Sequence, residues 1–202
     1  MRRYRLAFSP IEITDLVKAW VATSVAFGVF FMHGQLGDAS FLSFVVICVI
    51  AGATAGVGFL AHELMHKVAA SRFGVHSEFR SNDAMLVLSI LIAFFGFIFA
   101  APGAVQLHSN VTRKESGIIS LAGPAANMVL ALAFLPVALF GGAFAPIGIY
   151  GMFVNALLGA FNLIPFFGFD GQKVFDWHKG WYVTAVVVAG MLVMASFSVV
   201  GV

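Results

Sequence analysis

His62 and His66 stand four residues apart, and Glu63 follows the first of them, in Leu60-Ala61-His62-Glu63-Leu64-Met65-His66. On a helix this spacing puts both imidazoles on one face, one turn apart, as a tetrahedral Zn²⁺ requires. Glu63 then lies beside the first ligand, where a carboxylate can take a proton from a water on that metal. Two histidines and a carboxylate at the end of an apolar helix are costly unless something pairs with them. The pattern therefore reads as a site for one zinc ion per chain.

A catalytic zinc usually has three protein ligands and one open position. The third must come from elsewhere in the chain. His33 falls on the outer side of the charge map given below, and His178 sits between Trp177 and Lys179 and reads as interfacial. His76 and His108 stay open as candidates, and Asp170 is the strongest. It closes the run Asn162-Leu163-Ile164-Pro165-Phe166-Phe167-Gly168-Phe169-Asp170-Gly171. An acid there needs a cation as partner. Pro165 removes a backbone donor and pushes Ile164 out of helical geometry, while Gly168 and Gly171 allow a tight path back toward the metal. Read alone, Asp170-Gly171 is equally a turn leaving the apolar segment. Asn162, two turns upstream, needs hydrogen-bond partners at that depth. It can hold a substrate strand, polarise a scissile carbonyl, or pair with a neighbouring helix.

The elements that must position these residues are apolar. Of the 202 residues 61% are hydrophobic and 10% charged, and 23 are Phe. A soluble fold of this size cannot bury so much apolar surface. The net charge of +2 does not point to nucleic acid, and one cysteine, Cys48, provides neither a disulfide nor a thiolate metal site. Five stretches suit a bilayer crossing: 19–32 (short), 42–66, 117–140, 146–167 and 181–201. Ahead of the first, Ser9, Pro10 and Glu12 form a helix start with a capping box, predicting, within an N-terminal interfacial segment 1–18, a short interfacial helix from Pro10 that runs into the first span, with Lys18 snorkelling. Gly52, Gly56 and Gly58 predict close helix packing inside the molecule, with dimerisation as the alternative.

The 11 Lys and Arg fall at Arg2, Arg3 and Arg5; Lys18; Lys67, Arg72 and Arg80; Arg113 and Lys114; Lys173 and Lys179. Linkers 33–41 and 141–145 carry none. Because cytoplasmic loops are enriched in basic residues, the N-terminus, 67–83, 102–116 and 168–180 are expected inside. The apolar stretch 84–101 then starts and ends on the same side. It is expected to dip into the inner leaflet or lie along it, followed by an extended segment at 102–110 covered by protein or water. A plain sixth span is the alternative. The charge map puts His62, His66 and Asp170 at the inner ends of their helices.

These residues resemble a known family. His62-Glu63-Leu64-Met65-His66 at a membrane-helix end, with Asn162-x-x-Pro165 and Asp170-Gly171 about a hundred residues on, are similar to the two signatures of the site-2 proteases. Gly123-Pro124-Ala125 looks like that family's middle core helix, and the chain resembles its short archaeal and bacterial members without PDZ or CBS domains. The likeness covers about 42–171. It implies one intramembrane zinc endopeptidase domain over 1–202, cutting single-span membrane substrates in or beside their spans. By the same resemblance His62, His66 and Asp170 bind zinc, Glu63 is the catalytic base and Asn162 positions substrate. The fold expected is an all-α polytopic membrane protein of five to six crossing helices, with a membrane-dipping extended or β segment between the first zinc helix and the middle helix. It is expected in the cell membrane with its site near the cytoplasmic face.

A zinc transporter or a zinc-binding membrane protein is the rival reading. Transport needs polar groups through to the outer face, and the outside loops offer only His33 and Asp38. A membrane protease with a later glutamate as third ligand lacks its residue, because no Glu follows Glu115.

Overall fold

The computed structural model describes residues 6–33, 40–98, 103–166 and 168–200. Arg2, Arg3, Arg5, Asp38 and most of linker 33–41, residues 99–101 of the apolar stretch, the first residue of the extended segment 102–110, and Phe167 lie outside the described residues.

The first helix, α1, spans Pro10–Phe31. Ser9 caps it, its hydroxyl accepting from the Glu12 amide at 3.1 Å, with Pro10 in the first turn. The expected interfacial segment and first span are thus one helix. The expected capping box does not form. The Glu12 carboxylate turns inward to Lys67 instead of reaching back to Ser9, because an ion pair enclosed by three elements outweighs one local amide contact.

The second apolar rod runs from Phe41 to Arg72 as α2 (Phe41–Ala51), a wide π-turn over Gly52–Gly56, and α3 (Val57–Arg72). The π-turn was not visible in the sequence. Gly52 and Gly56 face Trp20 and Ser24 of α1, and Gly58 faces Asn155 on the sixth helix, so the small residues serve internal packing. Next come β1 (Ser77–Ser81), α4 (Asp83–Ala93) and β2 (Gly103–Leu107). The chain continues as α5 (Arg113–Phe140), α6 (Ala145–Asn162), α7 (Asp170–Trp177) and α8 (Lys179–Val200). A capping box does start α5: the Glu115 amide donates to the Thr112 hydroxyl at 3.2 Å, and Glu115 accepts from the Thr112 amide at 2.8 Å.

Among the described residues, five helices are long and apolar enough to cross a membrane: Pro10–Phe31, Phe41–Arg72, Arg113–Phe140, Gly142–Asn162 and Lys179–Val199. The stretch 84–101 does not add a sixth. Its helix, α4, has 11 residues and rises about 16 Å, half of a hydrocarbon core of about 30 Å. The strands on either side pair antiparallel, with Ser81 opposite Gly103 and Ser77 opposite Leu107. The intervening excursion therefore ends beside the point where it began.

Three of the apolar clusters join these elements around the site. Leu16, Ala19 and Ala22 of α1 pack on Phe59, Phe79 and Leu86, which seats the β-ribbon and α4 against the first and third helices. Met128 and Ala131 of α5 pack with Ala156 and with Ala185, Ala189 and Leu192 of α8. Phe27, Ala51, Ala55, Val154 and Leu158 join α1 and α6 to the long rod.

Candidate metal centre

His62 and His66 lie on α3, and Asp170 opens α7. The chain reaches Asp170 by leaving the helix after Asn162, next to Pro165, and turning at Gly168, whose φ is 79°. That positive φ suits glycine and strains other residues. Gly171 then passes so close to the Leu163 carbonyl that a side chain there would collide with it. Asp170 is thus the first residue of a short helix rather than part of an open turn.

The His62 and His66 Nε2 atoms are 3.0 Å apart, and Asp170 Oδ2 is 3.2 Å from the first and 3.1 Å from the second. Ligand atoms on a tetrahedral zinc at about 2.0–2.1 Å stand about 3.3 Å from each other. The triangle already has that size. The three side chains are 7%, 9% and 11% exposed.

The donor set favours a metal on chemical grounds. His66 Nδ1 faces the Ile119 carbonyl at 2.8 Å, and a carbonyl only accepts. Nδ1 therefore carries the hydrogen, and Nε2 presents a lone pair to the centre. Lone pairs of nitrogen and carboxylate oxygen crowded at 3.0–3.2 Å repel unless a cation lies among them. Glu63 adds to this. Its Oε2 is buried with no hydrogen-bond partner among the described residues, a costly state that a metal-site water would relieve.

α5 closes the site from the other side. A Cβ on Gly123 would stand 2.5 Å from His66 Nε2 and 2.6 Å from His62 Nε2, so only glycine lets this helix approach the ligands. Pro124 inside α5 has no amide to give the Ser120 carbonyl, and one residue earlier the Ile119 carbonyl orients His66. A cavity of 280 Å³ opens on the ligands, with Thr23, Val105, Ser120, Asn162 and Lys173 in its walls. The main chain of Val105 in β2 lies beside Glu63.

Of the sequence candidates, His62, Glu63, His66, Asp170 and Asn162 all line this cavity. The Asn162 amide donates to the Leu158 carbonyl at 2.9 Å and touches none of the ligands. His76 and His108 are not brought to the centre. Their rings lie side by side, tilted at 45° with centroids 5.0 Å apart, beyond the Ser77–Leu107 end of the ribbon. His178 accepts from the Trp181 amide at 3.2 Å and so caps α8. Asn127 escaped the sequence reading. Its Oδ1 is 2.7 Å from His62 Nδ1. A lone amide in an apolar helix, three residues after Pro124, was the available signal.

Comparison with known proteins agrees with this geometry. The chain is 34% identical over 196 residues to "Putative zinc metalloprotease MJ0611" of Methanocaldococcus jannaschii, covering 94% of this chain and 97% of the relative. It is 32% identical over 156 residues to the zinc metalloprotease homologue Rip2 of Mycolicibacterium smegmatis, covering 66% of this chain and 58% of Rip2. For Rip3 of Mycobacterium tuberculosis the figures are 33% over 121 residues, 57% of this chain and 27% of Rip3. No family model and no solved structure matches the chain. With a relative matched over nearly its whole length and a triad able to hold one metal ion, the chain belongs to the zinc metalloprotease family of MJ0611.

Proposed function

We propose that this chain is an intramembrane zinc endopeptidase of the site-2 type, cutting single-span membrane proteins in or next to their spans. The observation that carries the reading is the convergence of Asp170 on His62 and His66 of a rod long enough to cross a bilayer, beside a Glu63 whose Oε2 has no hydrogen-bond partner among the described residues. His62, His66 and Asp170 are the metal ligands, Glu63 the catalytic base and Asn162 a substrate-positioning residue.

Zinc, when bound, supplies Lewis acidity and makes a water acidic enough to ionise near pH 7. Glu63 takes the proton of the attacking water on Oε2 and delivers it to the leaving amine. A substrate helix must unwind first, because its carbonyls are tied up in intrahelical bonds. The edge of β2 that is not paired with β1 faces the cavity through Gly103 and Val105. An unwound substrate adds there as a third strand. Asn162, one N–H spent on Leu158, has its Oδ1 and second N–H left for the substrate along the same cavity.

The chain acts from within the cell membrane as a multi-pass protein, with the N-terminus and the site on the cytoplasmic side. Lys67 and Arg72 follow the histidines on α3, and Lys173 and Lys179 follow Asp170, so both ligand-bearing ends carry the positive charge of inside loops. The return of the 82–102 excursion to its starting level supports one sidedness for both.

The test is incubation of purified protein with a panel of single-span model substrates, beside Glu63→Ala, with products read by mass spectrometry. Cuts within or beside the span that vanish in the variant are expected. If the zinc-loaded wild type cuts only soluble peptides, the intramembrane assignment is wrong.

A further inference from the structure

We propose that Asn127 and Asn155 are positioning residues. Together they form a one-way amide relay that fixes which nitrogen of His62 faces the metal and ties that ligand to the π-turn of its own rod. The inference rests on the metal reading of the site and not on the choice of substrate.

The relay is anchored on groups that can only accept. Asn155 on α6 is fully buried, and its Nδ2 donates to the carbonyls of Gly151 at 2.9 Å and Thr54 at 3.4 Å. Its Oδ1 must then point the other way, where the Asn127 Nδ2 donates to it at 3.1 Å. Asn127, also fully buried, spends its second N–H on the Gly58 carbonyl at 3.0 Å. Both its protons are used, so the oxygen is what His62 Nδ1 meets at 2.7 Å. That contact is attractive only if Nδ1 carries the hydrogen. Nε2 is left with its lone pair aimed at Asp170 and His66. Three backbone carbonyls thus set the tautomer of a metal ligand through two side chains.

The two ligands are held differently. His66 leans on one main-chain carbonyl, Ile119. His62 depends on side chains from two further helices. The far end of its relay is Thr54, within the π-turn Gly52–Gly56. A π-turn displaces carbonyls from the regular ladder. Here the Thr54 carbonyl accepts from Asn155, and the Gly52 carbonyl accepts from the Trp20 indole at 3.1 Å. Gly58 completes the arrangement, since any Cβ there would strike Asn155 Oδ1. Helices α3, α5 and α6 are therefore in register with each other and with His62 through one buried hydrogen-bond chain, and a shift in any of them would move the ligand.

The experiment uses the full chain in detergent. Zinc affinity is measured by chelator competition for wild type, Asn127→Ala, Asn155→Ala and Val154→Ala, the last trimming a buried neighbour of Asn155 outside the relay. Imidazole nitrogen shifts of the zinc-free wild type report the His62 tautomer directly. Outer-shell partners of metal ligands typically contribute 10- to 100-fold in affinity. Asn127→Ala is expected to weaken zinc toward the upper end of that range. Asn155→Ala, with no contact to the ligand, should weaken it about tenfold, and Val154→Ala should leave it unchanged. Zinc-free wild type should show His62 protonated at Nδ1. Wild-type affinity in Asn127→Ala, equal losses in Asn155→Ala and Val154→Ala, or His62 protonated at Nε2 would each overturn the relay. The tautomer measurement stands even if a variant does not fold. A wild type that binds no zinc would instead defeat the metal reading itself.

Discussion

Glu12 and Lys67 meet as an enclosed ion pair, the Lys67 Nζ standing 2.8 Å from each carboxylate oxygen. Lys67 also donates to the Ser77 carbonyl at 2.8 Å, and Glu12 accepts from the Phe79 amide at 2.9 Å. The Phe8 ring covers the ammonium 4.7 Å away. One residue beyond His66, the zinc helix is thus stapled to α1 and to β1. The side chains are 0% and 5% exposed, so removing one partner strands a buried charge. Glu12→Gln and Lys67→Met are each expected to lower stability by about 3–5 kcal/mol. The double change should recover most of that in chemical denaturation, and additive losses would refute the pairing.

Gly123→Ala tests the fit of α5 to the ligands. Its methyl group would fall within 2.6 Å of both histidine Nε2 atoms. We expect the helical content to stay near wild type while bound zinc, read by atomic absorption, falls below half an equivalent per chain. Full occupancy would mean that α5 yields easily at this point.

Glu63 and Asp170 should separate chemistry from metal binding. Glu63→Gln is expected to keep zinc and lose about 10²–10⁴-fold in cleavage rate, as for a general base. Asp170→Asn should lose the metal itself, because an amide oxygen carries no charge to offset the ion. Zinc content and turnover measured on the same preparations decide both.

Proline placed in turn at Ala104, Val105 and Gln106 tests strand addition at β2. Positions whose amides point away from β1 should lose cleavage of a membrane substrate with the melting temperature unchanged. Unaltered cleavage at all three would remove β2 from substrate binding.

Sidedness is open to labelling. Ser109 is exposed just after β2. A cysteine placed there should react with an impermeant reagent from the cytoplasmic side of oriented vesicles. Reaction from the outside alone would contradict the proposed orientation.

The sequence by itself determined the donor types, the one-turn spacing of His62 and His66, a chain break before Asp170 and the existence of all five long helices, with 117–140 and 181–201 right to within about four residues, while 42–66 stopped six short of Arg72 and 146–167 overran Asn162 by five. These are local properties. Side-chain period, proline geometry and apolar length act within a few residues and can be read without knowing what lies across the fold. The charge pattern also favoured an excursion at 84–101, because basic residues flank it on both sides, but left a sixth span open until the pairing of β1 with β2 brought its two ends together.

Only the tertiary structure decided what each deep polar group meets. Glu12 read as a capping-box residue from its neighbours, yet its partner is 55 positions away. Asn127 is a lone amide in α5, Asn155 shares α6 with Asn162, and nothing in their spacing says that one serves the other and both serve His62. Gly123 needed its glycine for a contact with α3, not for any turn of its own. The physical reason is shared. In an apolar interior a polar atom must find a partner wherever the packing puts one, and packing is set by the register of helices far apart in the chain.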